Sequence, residues 1–262
     1  MRRHLSWMAC PLPLGWLNAY PRGNMAWINK VLSLFDVKLS RASRANHWWM
    51  QSALQRLSQS GIPVQSVIDV GAASGLFSLM SHQCFPDASI MAIEPLSESF
   101  QILRRRLSKL PHVDAHQCVV GKVDDVSISF TVSDDLDGSG VGLTGGTSRA
   151  IPCRTLDSLA SQYMLRGPFL LKLDTHGYEL PILEGGQNVL RHCSAIIVEA
   201  YNFKISESAC LFWELCAVMD RYGFRPIDIA DPSPRSLDDA FWQLDIVFIP
   251  ATSSRFLTNA YR

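Results

Sequence analysis

The sequence predicts an α/β fold with a doubly wound, mostly parallel sheet, and three observations carry that expectation. From Val64 onward, short apolar runs of strand length alternate with segments of helical spacing. That order builds parallel βαβ units. The first run, residues 67–70, enters a turn of small residues, Gly71-Ala72-Ala73-Ser74-Gly75, before Leu76, Phe77, Leu79 and Met80 open a helix. Acidic residues stand at the carboxyl ends of four runs, as Asp69, Glu94, Asp174 and Glu199. Open α/β sheets bind their ligands outside those ends.

Taken in order, residues 1–60 read as an N-terminal extension with helices, and residues 61–262 as the α/β domain. Residues 1–23 are irregular and rich in proline and aromatic side chains. Helical spacing follows at 25–35, with Ile28, Leu32 and Phe35 on one stripe, and at 47–57, with Trp48, Trp49, Leu54 and Leu57 apolar. Gly61-Ile62-Pro63 stops the second helix. Pro11, Pro13 and Gly15 break the apolar stretch near the start, which is too short and interrupted to span a bilayer. No integral membrane segment is expected, although Trp7, Trp16 and Trp27 leave room for loose surface association.

The glycine turn places main-chain N–H groups and a helix start beside a ligand. Its spacing is G-x-x-x-G, without the third glycine of a dinucleotide turn. That pattern suits S-adenosylmethionine better than a dinucleotide, because there is no pyrophosphate to cradle, and it counts against a dehydrogenase. Gly71 and Gly75 are free to take positive φ. Asp69 is expected to fix this turn or to bind the cofactor's amino group. The next strand, residues 89–93, ends at Glu94-Pro95. A carboxylate there can accept both ribose hydroxyls of an adenosine, and Pro95 stops the ladder.

A third strand is expected at 113–120. Residues 126–132 then alternate as V-S-I-S-F-T-V, the pattern of a half-exposed strand. A loop with five glycines, 134–148, leads to a returning strand at 150–153. This inserted hairpin reads either as a substrate lid or as a long connector. Thr155 is a plausible N-cap, residues 169–173 (FLLKL) form the next strand, and a helix is expected over 179–190. Residues 195–198 form another strand, 207–222 a helix, and 225–230 with 243–249 a terminal antiparallel pair.

Chemistry concentrates in Asp174-Thr175-His176-Gly177-Tyr178-Glu179. Methyl transfer from a sulfonium needs a nucleophile held against the methyl group and help in removing a hydroxyl proton. His176 is either a base or a turn residue bonded to the backbone, and Asp174 orients it or takes the proton. Glu179 and Glu199 face the acceptor. A metal reading through Asp174, His176 and Glu179 is disfavoured, since three ligands on one tight turn seldom converge, so no metal is expected.

Lys+Arg and Asp+Glu number 24 each, which leaves no global positive field for nucleic acid. The seven cysteines include no C-x-x-C pair and fit a reduced, cytoplasmic chain. The ordered series DVGAASGLFS, IEP, TLDSL, LLKLDTHGYELPILEGG and IIVEA resembles the FkbM family of S-adenosylmethionine-dependent methyltransferases. The resemblance implies a class I methyltransferase fold, seven strands with an antiparallel last strand, and O-methylation of a sugar, glycan or natural product. It departs from the family at Ala73, where Asn is usual, and at His176, where Glu or Gln is usual. The first departure supports an alternative, a weak or inactive cofactor-binding homologue that serves as a partner subunit.

Overall fold

A computed structural model describes residues 47–134, 136 and 138–261. The helix expected at 25–35 and the aromatic residues Trp7, Trp16 and Trp27 lie outside the described residues. Helix α1 (Met50–Gln59) precedes β1 (Ser66–Val70), α2 (Leu76–Cys84), β2 (Ser89–Ile93), α3 (Ser97–Leu107) and β3 (Val113–His116). A smaller set follows: β4 (Val119–Val120), β5 (Val126–Val132), β6 (Gly140–Val141) and β7 (Thr147–Arg154). The chain then continues through α4 (Leu156–Gln162), β8 (Phe169–Leu173), α5 (Glu179–Glu184), α6 (Gln187–Arg191) and β9 (Cys193–Tyr201). It finishes with α7 (Phe212–Arg221), β10 (Phe224–Pro234) and β11 (Phe241–Pro250).

The main sheet has seven strands in the order β10-β11-β9-β8-β1-β2-β3. All neighbours are parallel except around β11, which runs antiparallel to both β9 and β10. Its central strands are buried on both faces, so they read as continuous apolar runs. Successive residues serve opposite layers. Ile68, Val70, Leu171, Leu173, Ile196 and Val198 join the core under α4 to α7. Val67, Ile90, Leu170, Ala195, Ile197 and Val247 join the core that buries Met50, Ala53, Leu54 and Leu57 of α1. Helix α1, read with the N-terminal extension in the sequence, is therefore built into the packing of the sheet.

Two expected elements divide. The run at 113–120 leaves the main sheet after His116, and Val119–Val120 pairs instead with β7 in a second, four-stranded sheet ordered β4-β7-β5-β6. β3 is an edge strand with half-exposed residues, so nothing holds the chain in that ladder beyond His116. The helix expected over 179–190 breaks at Gly185-Gly186. A Cβ on Gly185 would lie 2.2 Å from the Gly121 carbonyl oxygen, and one on Gly186 would lie 2.7 Å from Leu156. Close packing, not turn chemistry, requires those glycines. The hairpin at 126–153 forms as expected, with β7 starting earlier and β5 paired to it antiparallel from Val126 to Val132. Thr155 caps α4 by accepting from the Ser158 N–H at 3.1 Å.

Candidate functional site

A cavity of about 600 Å³ opens over the carboxyl ends of β1, β2, β8 and β9. Its two ends differ in chemistry. At one end lie Val70, Gly71, Ala73, Ile93, Glu94 and Pro95; at the other lie Asp174, His176, Glu199, Tyr201, Trp242 and Gln243. The tip of the β5–β7 insertion, including Ser139 and Gly140, forms a wall of the same cavity.

Glu94 is anchored by the backbone. Its Oε2 accepts from the Ala73 N–H at 2.9 Å, and its Oε1 accepts from the Leu96 N–H at 2.8 Å. A carboxylate has about four acceptor positions, so both oxygens keep capacity for a diol. Burial raises the Glu94 pKa to about 7. The Leu96 and Ala73 N–H groups pull it down, and the charges of Asp69 and Asp174 push it up. Ala73 itself sits in left-handed backbone at φ 45°, a conformation that costs an L-residue about 1–2 kcal/mol and suits asparagine better.

Asp69 does not line the cavity. It is buried and accepts from Ser78 Oγ at 2.6 Å, which ties β1 to the first turns of α2. Burial lifts its pKa to about 6. Gly71 and Gly75 both have positive φ, 78° and 82°. Their missing side chains make room for the protein itself: a Cβ on Gly71 would lie 1.9 Å from the Asp174 carbonyl oxygen, and one on Gly75 would lie 2.7 Å from Leu103. Glu179 also turns away from the cavity. It is buried and accepts from Thr175 Oγ1 at 3.1 Å and from the Gly177 N–H at 3.0 Å, which fixes the turn after β8.

That turn aims His176. Its φ is 53°, followed by Gly177 at 91°, and a side chain held in left-handed backbone marks a position that the surroundings over-determine. His176 Nδ1 meets the Ser139 carbonyl oxygen at 2.9 Å. A carbonyl only accepts, so Nδ1 carries a hydrogen; in the neutral ring Nε2 then presents its lone pair, and in the protonated ring it is a second donor. Nε2 lies 3.8 Å from Asp174 Oδ1 and 3.6 Å from Glu199 Oε2.

Lys172, only 3% exposed, lies below this group. Its Nζ is 2.5 Å from Asp245 Oδ1 and 3.2 Å from Asp174 Oδ2. Burial alone would lower the Lys172 pKa, but Asp174, Asp245 and Glu199 outweigh it and keep the ammonium charged. Burial alone would raise Asp174, but Lys172 and then His176 hold it below the usual range. Glu199 goes the other way. Burial, then the charge of Asp174, pushes it up to about 9. Tyr201 donates to Glu199 Oε2, and Gln243 Nε2 donates to Oε1 at 2.6 Å.

Ser139, Lys172, Tyr201, Trp242 and Gln243 were not singled out from sequence. Lys172 carried a signal, a lone charge inside the apolar run FLLKL. Trp242 and Gln243 carried none, because only the antiparallel pairing of β11 with β9 brings them to the site.

A family model described as the methyltransferase FkbM domain matches residues 69–226. The chain belongs to the FkbM methyltransferase family. A curated relative, methyltransferase 1 of Beauveria bassiana (strain ARSEF 2860), is 24% identical over 143 residues, 45% of this chain and 57% of that protein. The match thus spans little over half the length of that relative. Among solved structures, methyltransferase FkbM from Methylobacillus flagellatus KT is similar at 18% identity and TM-score 0.45, covering 70% of this chain and 43% of that one. A SAM-dependent methyltransferase from Aquifex aeolicus is similar at 12% identity and TM-score 0.41, covering 85% of this chain and 98% of that one. The matched stretch is a methyltransferase domain by family, and that family implies S-adenosylmethionine as the donor. The residues present fit that donor, since Glu94 keeps free acceptor positions in a cavity of ligand size.

Proposed function

We propose that this methyltransferase transfers the methyl group of S-adenosylmethionine to a hydroxyl of a sugar, glycan or natural product. The carrying observation is one cavity with two unlike ends, a backbone-anchored carboxylate at one and the Asp174, His176 and Glu199 group at the other. When bound, S-adenosylmethionine supplies an electrophilic methyl carbon on sulfur, which keeps the electron pair as the new carbon–oxygen bond forms. Glu94 holds the ribose, and the Gly71 to Gly75 turn packs against the donor. Asp174 and His176 place the acceptor oxygen in line with the methyl group and assist departure of its proton, where correct placement supplies much of the rate.

The far wall suits a ring. Trp242 and Tyr201 line it and meet edge-on, with Phe203 stacked on Trp242 at 5.3 Å and 25° and Arg235 4.1 Å over Phe203, both outside the lining. A flat aromatic face accepts the apolar face of a sugar, while carboxylates accept its hydroxyls. The β5–β7 insertion acts as a lid on this end through Ser139 and its neighbours. A small molecule or glycan is the partner, nucleic acid is not, and the setting is cytoplasmic, a reading supported by the balanced charge and by the free cysteines among the described residues.

The test incubates the protein with methyl-labelled S-adenosylmethionine and a panel of glycosides, then locates the label by mass spectrometry and NMR. A methyl ether is expected. Label on nitrogen or sulfur would sink the reading. Donor binding without any transfer would favour the second reading, a non-catalytic partner subunit, for which Ala73 in place of a polar side chain speaks.

A further inference from the structure

We infer that Asp174, His176 and Glu199 form a binding site for one divalent metal ion that holds the acceptor oxygen. One ligand atom each of Asp174, His176 and Glu199 lies within 4.8 Å of the other two, and all three residues line the cavity. The Nε2 separations of 3.8 Å and 3.6 Å are too long for hydrogen bonds. Adjacent ligands of an octahedral ion at about 2.0–2.2 Å sit about 3 Å apart, so a closing shift of under about 1 Å would seat an ion between them.

The surroundings point the same way. The Asp174 and Glu199 carboxyl groups share a hydrogen bond, and each donor also has a partner outside the group, as in metal sites whose outer contacts fix ligand direction. Ser139 takes the Nδ1 hydrogen and leaves the Nε2 lone pair facing inward. Lys172 takes Asp174 Oδ2 and leaves Oδ1. Gln243 takes Glu199 Oε1, and Oε2, although bonded to Tyr201, retains a second lone pair. Two ligands come from the turn after β8 and the third from β9, so Glu199 faces Asp174 and His176 from the neighbouring strand. Glu199 replaces Glu179 in the set considered from sequence, because Glu179 is committed to Thr175 and Gly177.

Once the ion displaces the Glu199 proton to water, one imidazole and two carboxylates suit Mn²⁺ or Mg²⁺, with remaining positions open to water and hydroxyls. The ion would bind a hydroxyl oxygen of the acceptor and make its proton more acidic; that proton leaves to water as the oxygen attacks the methyl carbon, the metal keeps its oxidation state, and Asp174 and His176 act through the ion and not as free bases. This role rests on the hydroxyl-methylation reading above, whereas binding of the ion itself does not.

Mn²⁺ alone, titrated into the intact protein by calorimetry and electron paramagnetic resonance, tests the site without any turnover. One Mn²⁺ per chain is expected. His176→Ala and Glu199→Gln should each weaken it more than about 100-fold, and Gln243→Leu about 10–100-fold. Glu184→Gln, at an exposed carboxylate paired with Lys122 and outside the cavity lining, should leave it unchanged. S-adenosylmethionine affinity in the same samples reports that each variant is folded. No Mn²⁺ binding by a protein that binds S-adenosylmethionine, or binding that survives both His176→Ala and Glu199→Gln, overturns the site. Methyl-ether formation at full rate in chelator would overturn the role of the ion and leave the hydroxyl reading intact. Mn²⁺ binding with label on nitrogen would do the reverse.

Discussion

The two ends of the cavity are assembled in different ways. The cofactor end comes from one continuous stretch, residues 69–96, in which a strand, a turn, a helix and the next strand bring Ala73 and Leu96 N–H groups to one carboxylate. The acceptor end comes from separated segments: Ser139 in the insertion, Asp174 and His176 after β8, Glu199 and Tyr201 in β9, and Gln243 in β11. Local geometry is written in local sequence, whereas the second arrangement exists only once the sheet has paired. The first should therefore be robust and shared in character, and the second specific to this chain.

Asp174→Asn should separate the two ends most sharply. It keeps the shape but removes the charge that Lys172 faces, and turnover should fall about 100-fold or more, the scale of lost placement. S-adenosylmethionine affinity should stay within about twofold by calorimetry, so a large loss of affinity would mean that the ends are not separate. Glu94→Ala is the reciprocal test. It should weaken S-adenosylmethionine by about 1.5–3 kcal/mol, the range for a charged hydrogen-bonding group, with turnover at saturating donor largely kept. Unchanged affinity in the folded variant would remove Glu94 from the site.

The pH dependence of donor binding sharpens the contrast further. A carboxyl raised to about 7 is protonated below that pH and loses an acceptor position. Affinity should therefore improve about tenfold from about pH 6 to about pH 8 if only the ionised form binds the diol. A Glu94→Gln variant should show a flat profile, and the same slope in both proteins would refute the assignment. The smallest effect is expected at Ala73. Ala73→Gly relieves left-handed strain but loosens the unfolded chain, for a net gain of about 0.5–1 kcal/mol in denaturant unfolding. A loss of stability would show that the turn is not strained there.

The contrast also explains what could be read in advance. The strands at 66–70, 89–93, 126–132 and 169–173 were legible because burial on one or both faces leaves a short-range pattern. The carboxylates at strand ends were legible because their position follows from the strand. The fates of Asp69 and Glu179 were not. Both carry the right group at the right place, but Ser78, Thr175 and Gly177 are closer partners than any ligand. The split at 113–120 was hidden because Val119 and Val120 look like a strand in either sheet. Ser139 could not be found at all, since it acts through a carbonyl that every residue possesses.

The contact between Gly71 and Asp174 has one more consequence, for redesign. The Asp174 carbonyl fills the space that any side chain at position 71 would need. The reach from donor to acceptor is thus fixed by two touching main chains. Exchanging Trp242, Leu143 or Ile205 on the far wall can widen the range of acceptors, but the new molecules must all present their oxygen at the same spot. Acceptor scope is adjustable in this scaffold, while the stroke of the transfer is not.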